Sequence, residues 1–415
     1  SIKARTKMGG AIYISIDKTF NNELNKKVEV HNCTFRNCVN EIGGAIYLKS
    51  VDSTVHHEIR DCLFASNECN SIGASLYLNS LFVTIENCIF KENKASKDGG
   101  AIFYEFDSSN ANPLNLLEDD QTYAFLVIEC KFNSNLAENR GGAIHVSVTK
   151  ETVNGMIDIS NCQFNECTAV TNGGGGVFFY LQKNIYGQIS IQSNSFINCT
   201  ASFGGAIFAF SDNELNDVVI TKSVFKKNKA SGKLGGGALF ISLKNGKVGE
   251  NLFLNNIGKG SIIISNDDFD DVKKATLTDD DRNGGLLSIT NCIFESNSSS
   301  SIFYHHGEKK AVSVWIKNCI FDGKVPKGSH HIIGNVKEDK MLHIESCKFS
   351  DRKSSIQKIE KEFKFLKDGV IGLNLLIMAC ILAVLVTIFA VNLFSRKNIK
   401  KDEIDQFDNI QYIEV

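Results

Sequence analysis

Two short motifs alternate along most of this chain, and their spacing limits the fold to a small set. The first is Φ-x-Φ-x-x-C-x-F-x-x-N, where Φ is apolar; its Phe falls at Phe35, Phe64, Phe90, Phe132, Phe164, Phe196, Phe225, Phe253, Phe294, Phe321 and Phe349. Successive Phe residues are 29, 26, 42, 32, 32, 29, 28, 41, 27 and 28 positions apart. The second motif is Gly-Gly-Ala-Ile, at 9–12, 43–46, 99–102, 141–144 and 204–207, with degenerate copies at 73–76, 174–177 and 236–239. A fixed period of this size marks a solenoid, in which each repeat buries its apolar face only against its neighbours. Within a repeat the apolar residues alternate with period two, as at Ile157, Ile159, Cys162 and Phe164, which is strand periodicity. Gly pairs punctuate the strands and no helical pattern lies between them. The expected fold is all-β: a right-handed parallel β-helix of about eleven coils over 1–350.

Stacked coils convert repeated positions into columns along the axis. The Phe positions become an internal aromatic ladder. Three residues further on stand Asn67, Asn93, Asn135, Asn228, Asn256 or Asn297, with Cys38, Cys167 and Cys199 in their place elsewhere. A buried Asn column is tolerable where each amide bonds to neighbouring coils. Cys33, Cys62, Cys88, Cys130, Cys162, Cys292, Cys319 and Cys347 share another column with Asn194, Ser223 and Asn251. The expectation is buried thiols filling a small slot, because parallel side-chain vectors suit a disulfide poorly. Neither the thiols nor the His56-His57, His305-His306 and His330-His331 pairs have a metal-ligand framework, so no metal or other cofactor is expected.

After Gly-Gly-Ala, alternation turns Ile46 and Leu48 inward and their neighbours outward. Tyr13, Tyr47, Tyr77, Phe103, Phe178, Phe208, Phe240 and Phe303 would then form an exposed aromatic strip, the candidate ligand-binding surface. The sequons at Asn32 and Asn198 flank inward Cys residues and should accept glycans. Two acidic insertions follow Gly-Gly-Ala-Ile strands: Glu118, Asp119 and Asp120 in one, Asp267, Asp268, Asp270, Asp271, Asp279, Asp280 and Asp281 in the other. They are solvated loops or, at Asp267, Asp268, Asp270 and Asp271, a weak Ca²⁺ site.

Beyond the repeats, residues 351–369 carry Ile356, Ile359, Phe363 and Leu366 on one side of an amphipathic helix, a cap for the last coil. Val370 to Phe394 has no charged residue, long enough to span a bilayer as a helix. Arg396, Lys397, Lys400 and Lys401 follow it and place residues 395–415 in the cytoplasm. A type I single-pass plasma-membrane protein with its N-terminal part outside is expected, the chain opening part-way through a coil at Ser1. In the tail, Phe407, Asn409, Tyr412 and Val415 match endocytic sorting patterns, which suits a cytosolic adaptor or, through the terminal carboxylate, a PDZ-like groove. A net charge of −2 leaves nucleic acid without an electrostatic footprint.

The interleaved Gly-Gly-Ala-Ile and Phe-x-x-Asn motifs resemble the repeat of the chlamydial polymorphic outer membrane proteins and of related surface proteins in parasitic protists such as trichomonads. The resemblance covers about residues 9–349 and implies a β-helical surface protein associated with adhesion. The chlamydial proteins end in a β-barrel translocator, whereas this chain ends in one apolar segment, which implies a eukaryotic, plasma-membrane version. The reading is an adhesin or recognition ectodomain for a glycan or protein. The alternative is a carbohydrate-active β-helix enzyme, but the polygalacturonase signature is missing: His306-Gly307 has no leading Gly and no Arg-x-Lys follows. The two acidic insertions, five coil steps or ~24 Å apart, are too distant to pair as catalytic carboxylates.

Overall fold

The computed structural model describes residues 7–349 except 18–25, 52–54, 107–122, 150–154, 183–184, 186, 212–215, 234, 266–284, 296–299, 306–311, 324–329 and 336–341. The juxtamembrane segment, the apolar segment at 370–394, the tail motif and the Asp267–Asp271 group all lie outside the described residues, as does Asn297 of the Asn column.

One coil is traced by four strands: Leu76–Asn79, Val83–Glu86, Ile89–Lys91 and Lys94–Ala95. Each strand pairs in parallel with its equivalents one coil before and one coil after, giving three sheets of 11 strands and a fourth of seven. The fourth sheet consists of two-residue strands such as Glu68–Cys69 and Lys94–Ala95, too short to show a period in the sequence. The fold is an all-β parallel solenoid. No helix among the described residues is long and apolar enough to cross a membrane.

The interior is organised in ladders. Phe35 through Phe321 stack ring on ring over ten coils, with centroids 4.5–5.1 Å apart and planes within 8°. That spacing is set by the hydrogen-bonded distance between strands, which flat rings on one column match almost without adjustment. The Asn column bonds in the same repeating way. The Asn67 amide N–H and Nδ2 both donate to Asn93 Oδ1, at 3.0 and 3.1 Å, and Asn93 Nδ2 donates to Phe64 O at 3.1 Å. Each amide thus satisfies a turn N–H that no strand partner reaches, at a site with no access to water.

The thiol column does similar work. The N–H of Cys88 and of Cys130 each donate to the sulfur one coil on, at 3.4 Å, and in other coils Asn194 Oδ1 accepts from Cys162 N at 2.8 Å. All twelve described cysteines are free thiols. Their slot asks for a small hydrogen-bond acceptor, which explains why Cys, Asn and Ser alternate there. Hydrogen bonding with the neighbouring thiols, Cys130 and Cys292, and then burial push the Cys88 and Cys319 thiols up to about 12, so they stay protonated.

The Gly pairs have two separate reasons. Gly99 has φ +67° at the sharp bend into the first sheet, where a side chain would be strained. Gly100 packs so closely on the next coil that a Cβ would lie 2.0 Å from Gly142 O.

Candidate functional site

The strand after the Gly pair carries the candidate surface, and beyond the first coil both of its faces are largely buried. Ile46 and Leu48 point into the solenoid and are sealed from water. Tyr104, in the Leu48 column, stacks on Phe125 of the second sheet across the interior, ring centroids 4.2 Å apart. Alternation then puts the Tyr47 column on the outer face, in the direction expected from the sequence.

The exposure expected for that column is corrected by the structure. Tyr13 alone is open, at 51%. Tyr47, Tyr77, Phe103, Phe178, Phe208, Phe240 and Phe303 are all buried, none above 9%. Each ring is covered on both flat faces by its neighbours in adjacent coils, as at Tyr47–Tyr77 (4.7 Å) and Phe178–Phe208 (4.6 Å). The residues just before the Gly pairs cover the ladder from the side: Met8, Ile42 and Ile72 at one end, Phe203 further along. The strip is therefore a second hydrophobic core on the outside of the sheet, split into two clusters.

Between the two clusters the ladder turns polar. His145, the residue after Gly141-Gly142-Ala143-Ile144, takes the ring position between Phe103 and Phe178, tilted 34° and 38° to them. It is 97% buried by side chain, and its Nδ1, with no hydrogen-bond partner, faces Asp98 Oδ1 at 3.9 Å. Burial holds the imidazole down, at about 4, against the pull of Asp98; Arg140 adds to the lowering. Asp98 and Arg140 are the residues before two successive Gly pairs and are bridged backbone to backbone. Asp98 Oδ1 accepts from Asn139 Nδ2 at 2.9 Å. The Arg140 guanidinium reaches over the outer face and sits 5.4 Å from the Phe178 ring centre and 5.9 Å from that of Tyr180.

On the far side of Phe103, the Tyr77 hydroxyl donates to Glu105, and Asn79 Nδ2 approaches the same carboxylate oxygen at 3.4 Å. Burial and then the Glu105 charge raise the Tyr77 phenol, which remains a neutral donor. Glu105 and Ser147 are cross-strand neighbours on the outer face, followed by Tyr180. Asp98, Glu105, Arg140, His145, Ser147 and Tyr180 thus form a polar notch in an otherwise apolar ladder. Sequence reasoning passed over His145, Arg140 and Asp98. Their signal was positional: they flank Gly pairs, and His145 stands where other coils have an aromatic ring.

The sequons Asn32 and Asn198 are both exposed, at left-handed bends of φ 52° and 55°. Among the described residues no group of His, Cys, Asp or Glu is arranged to hold a metal ion.

The Chlamydia polymorphic membrane protein repeat matches residues 87–105. That stretch holds Cys88, Phe90, Asn93 and the Gly99-Gly100 bend, and also Asp98 and Glu105 of the notch. No curated protein matches this chain. Among solved structures, a mannuronic acid specific polysaccharide family 6 lyase from human gut microbiota is similar at 10% identity and a TM-score of 0.33, covering 85% of this chain and 88% of that one. A likeness at that level says nothing about activity.

Proposed function

We propose that this chain is a membrane-anchored surface protein whose β-solenoid serves as an adhesin or recognition ectodomain. The observation that carries the reading is the solenoid itself, built from a repeat that matches the polymorphic membrane protein repeat, with a polar notch on its outer face. A stack of coils joined by parallel sheets is rigid along its axis and presents side chains at a regular step, which suits recognition of an extended partner. The 25-residue uncharged stretch from Val370 to Phe394 supports a single helical span, with the basic residues after it favouring a cytoplasmic tail. In this reading Asn32 and Asn198 carry glycans on the outside, and Phe407, Asn409, Tyr412 and Val415 engage a cytosolic adaptor.

The test is a screen of the full-length chain, in detergent or nanodiscs, against arrays of glycans and of extracellular proteins. Binding without turnover is the expected result. Depolymerisation of a bound polysaccharide would replace recognition by catalysis, and an absence of any ligand on both arrays would overturn the reading.

A further inference from the structure

Arg140 carries its guanidinium on the outer face of the first sheet. Among the described residues no carboxylate lies within ion-pair distance of its guanidinium, and its Nε is buried with no acceptor. Its charge is held instead over the Phe178 and Tyr180 rings. Ring faces attract a cation but accept none of its in-plane N–H bonds, so the buried Nε–H keeps no acceptor among the described residues. A guanidinium in that condition is a receptor for a planar anion, which it can hold through two parallel hydrogen bonds.

The surroundings narrow the anion. Asp98 lies on the adjoining coil beside Arg140, and Glu105 stands about two coil steps, roughly 10 Å, from the Phe178 rung over which the guanidinium rests. Ionised carboxylates accept hydrogen bonds and donate none. A small, fully charged ion such as phosphate would meet Arg140 and be repelled by Asp98. A ligand suited to all three groups brings one carboxylate for Arg140 and neutral hydroxyl donors for Asp98 and Glu105. It must also reach across neighbouring coils at a step of ~4.8 Å. A chain of acidic sugars has that combination: a carboxylate and several hydroxyls on each unit, repeated along an extended backbone.

Resting on the recognition reading above, we infer that the notch between Asp98, Glu105 and Arg140 binds a carboxylated saccharide, one acidic unit of a glycan laid along the solenoid axis. Arg140 takes the carboxylate. Asp98 and Glu105 take hydroxyls. The buried His145 and the flanking rings form the floor that holds Arg140 in place.

The experiment measures binding of oligogalacturonate, its methyl ester and poly-glutamate to the full-length chain in detergent. Wild type should bind the free acid and lose about tenfold or more on esterification, which removes the charge and leaves the backbone. Arg140→Gln should weaken oligogalacturonate by a similar factor, with Arg140→Lys intermediate because an ammonium cannot form the paired fork. Thermal melts of both variants verify that the solenoid is intact, and the ester comparison holds in wild type whatever the variants do. Equal binding of acid and ester, undiminished binding by folded Arg140→Gln, or no binding of oligogalacturonate would each overturn the inference. Poly-glutamate binding as tightly as the sugar would also overturn it, in favour of an acidic peptide. Ligands found on the arrays that ignore Arg140 would sink this inference and leave the recognition reading standing.

Discussion

His145 illustrates how one residue can set a condition on the stability of a whole ladder. Its ring is enclosed by Phe103 and Phe178, with Asp98 and Arg140 the charged groups facing it. The folded value of about 4 lies below the ordinary 6.5, so the unfolded chain binds the proton more readily between those two limits. The contribution is therefore complete above pH 6.5 and is lost as pH falls toward 4. By the usual conversion that loss is about 3 kcal/mol. Denaturation midpoints followed from pH 7 to 4 should show the decline in wild type and a shallower one in His145→Phe, which also completes the ladder. Matching profiles for the two proteins would show that the imidazole is not the group responsible. Asn93 shows the same dependence on neighbours without a titration. Its side chain serves the coils on both sides, so its worth belongs to no single repeat.

At the scale of the element, the strand after the Gly pair is, beyond the first coil, largely buried on both faces. The strands Ile46–Ser50, Leu76–Asn79 and Ile207–Ser211 have almost no exposed position. Alternating strands elsewhere, such as Val55–Arg60, keep one partly open face. The aromatic column is thus part of what holds the solenoid together. Tyr77→Ser should cost about 2–4 kcal/mol, the range for removing a buried aromatic ring that is stacked on both sides. Tyr13→Ser, with one stacked face and half its surface in water, should cost about 1 kcal/mol or less. Urea denaturation of the two variants checks the difference, and equal midpoints would mean that the ladder contributes no stability. Replacing Tyr47 or Tyr77 is accordingly a poor probe of ligand binding, because any loss would mix with unfolding.

The whole molecule is a one-dimensional assembly. Pairing in every sheet connects only neighbouring coils, so stability is close to a sum of coil and interface terms. Removal of residues 130–161 takes out one full coil and joins Glu129 directly to Cys162. The columns on either side stay in register: Cys88 then precedes Cys162, and Phe90 precedes Phe164. The shortened chain should keep its β-sheet circular dichroism and melt cooperatively at a somewhat lower temperature. It should also lose acidic-saccharide binding, since Arg140 and His145 leave with the coil. Unfolding of the deleted chain would show that the coils are not interchangeable units.

Much of this architecture was legible from the residues alone, because a repeat repeats its own physics. The Phe, Asn and Cys columns recur at the coil period with fixed offsets, so stacking them requires no knowledge of the rest of the chain. Inward and outward directions along the strand after Gly-Gly-Ala followed from period-two alternation, and Tyr104 against Phe125 agrees with it. Exposure did not follow, because a direction says nothing about what lies on the other side. Only the assembled solenoid brings Met8, Ile42, Ile72 and Phe203 alongside the rings and closes them from water. The notch was hidden for the same reason. Asp98, Arg140 and His145 are separated by up to 47 positions in the chain, and each by itself is an ordinary polar residue beside a turn. Coil stacking sets them next to one another, lays Arg140 over the Phe178 and Tyr180 rings and shuts His145 between rings. Local pattern determined the ladders; contact between coils decided which side chains are buried and which polar groups come together.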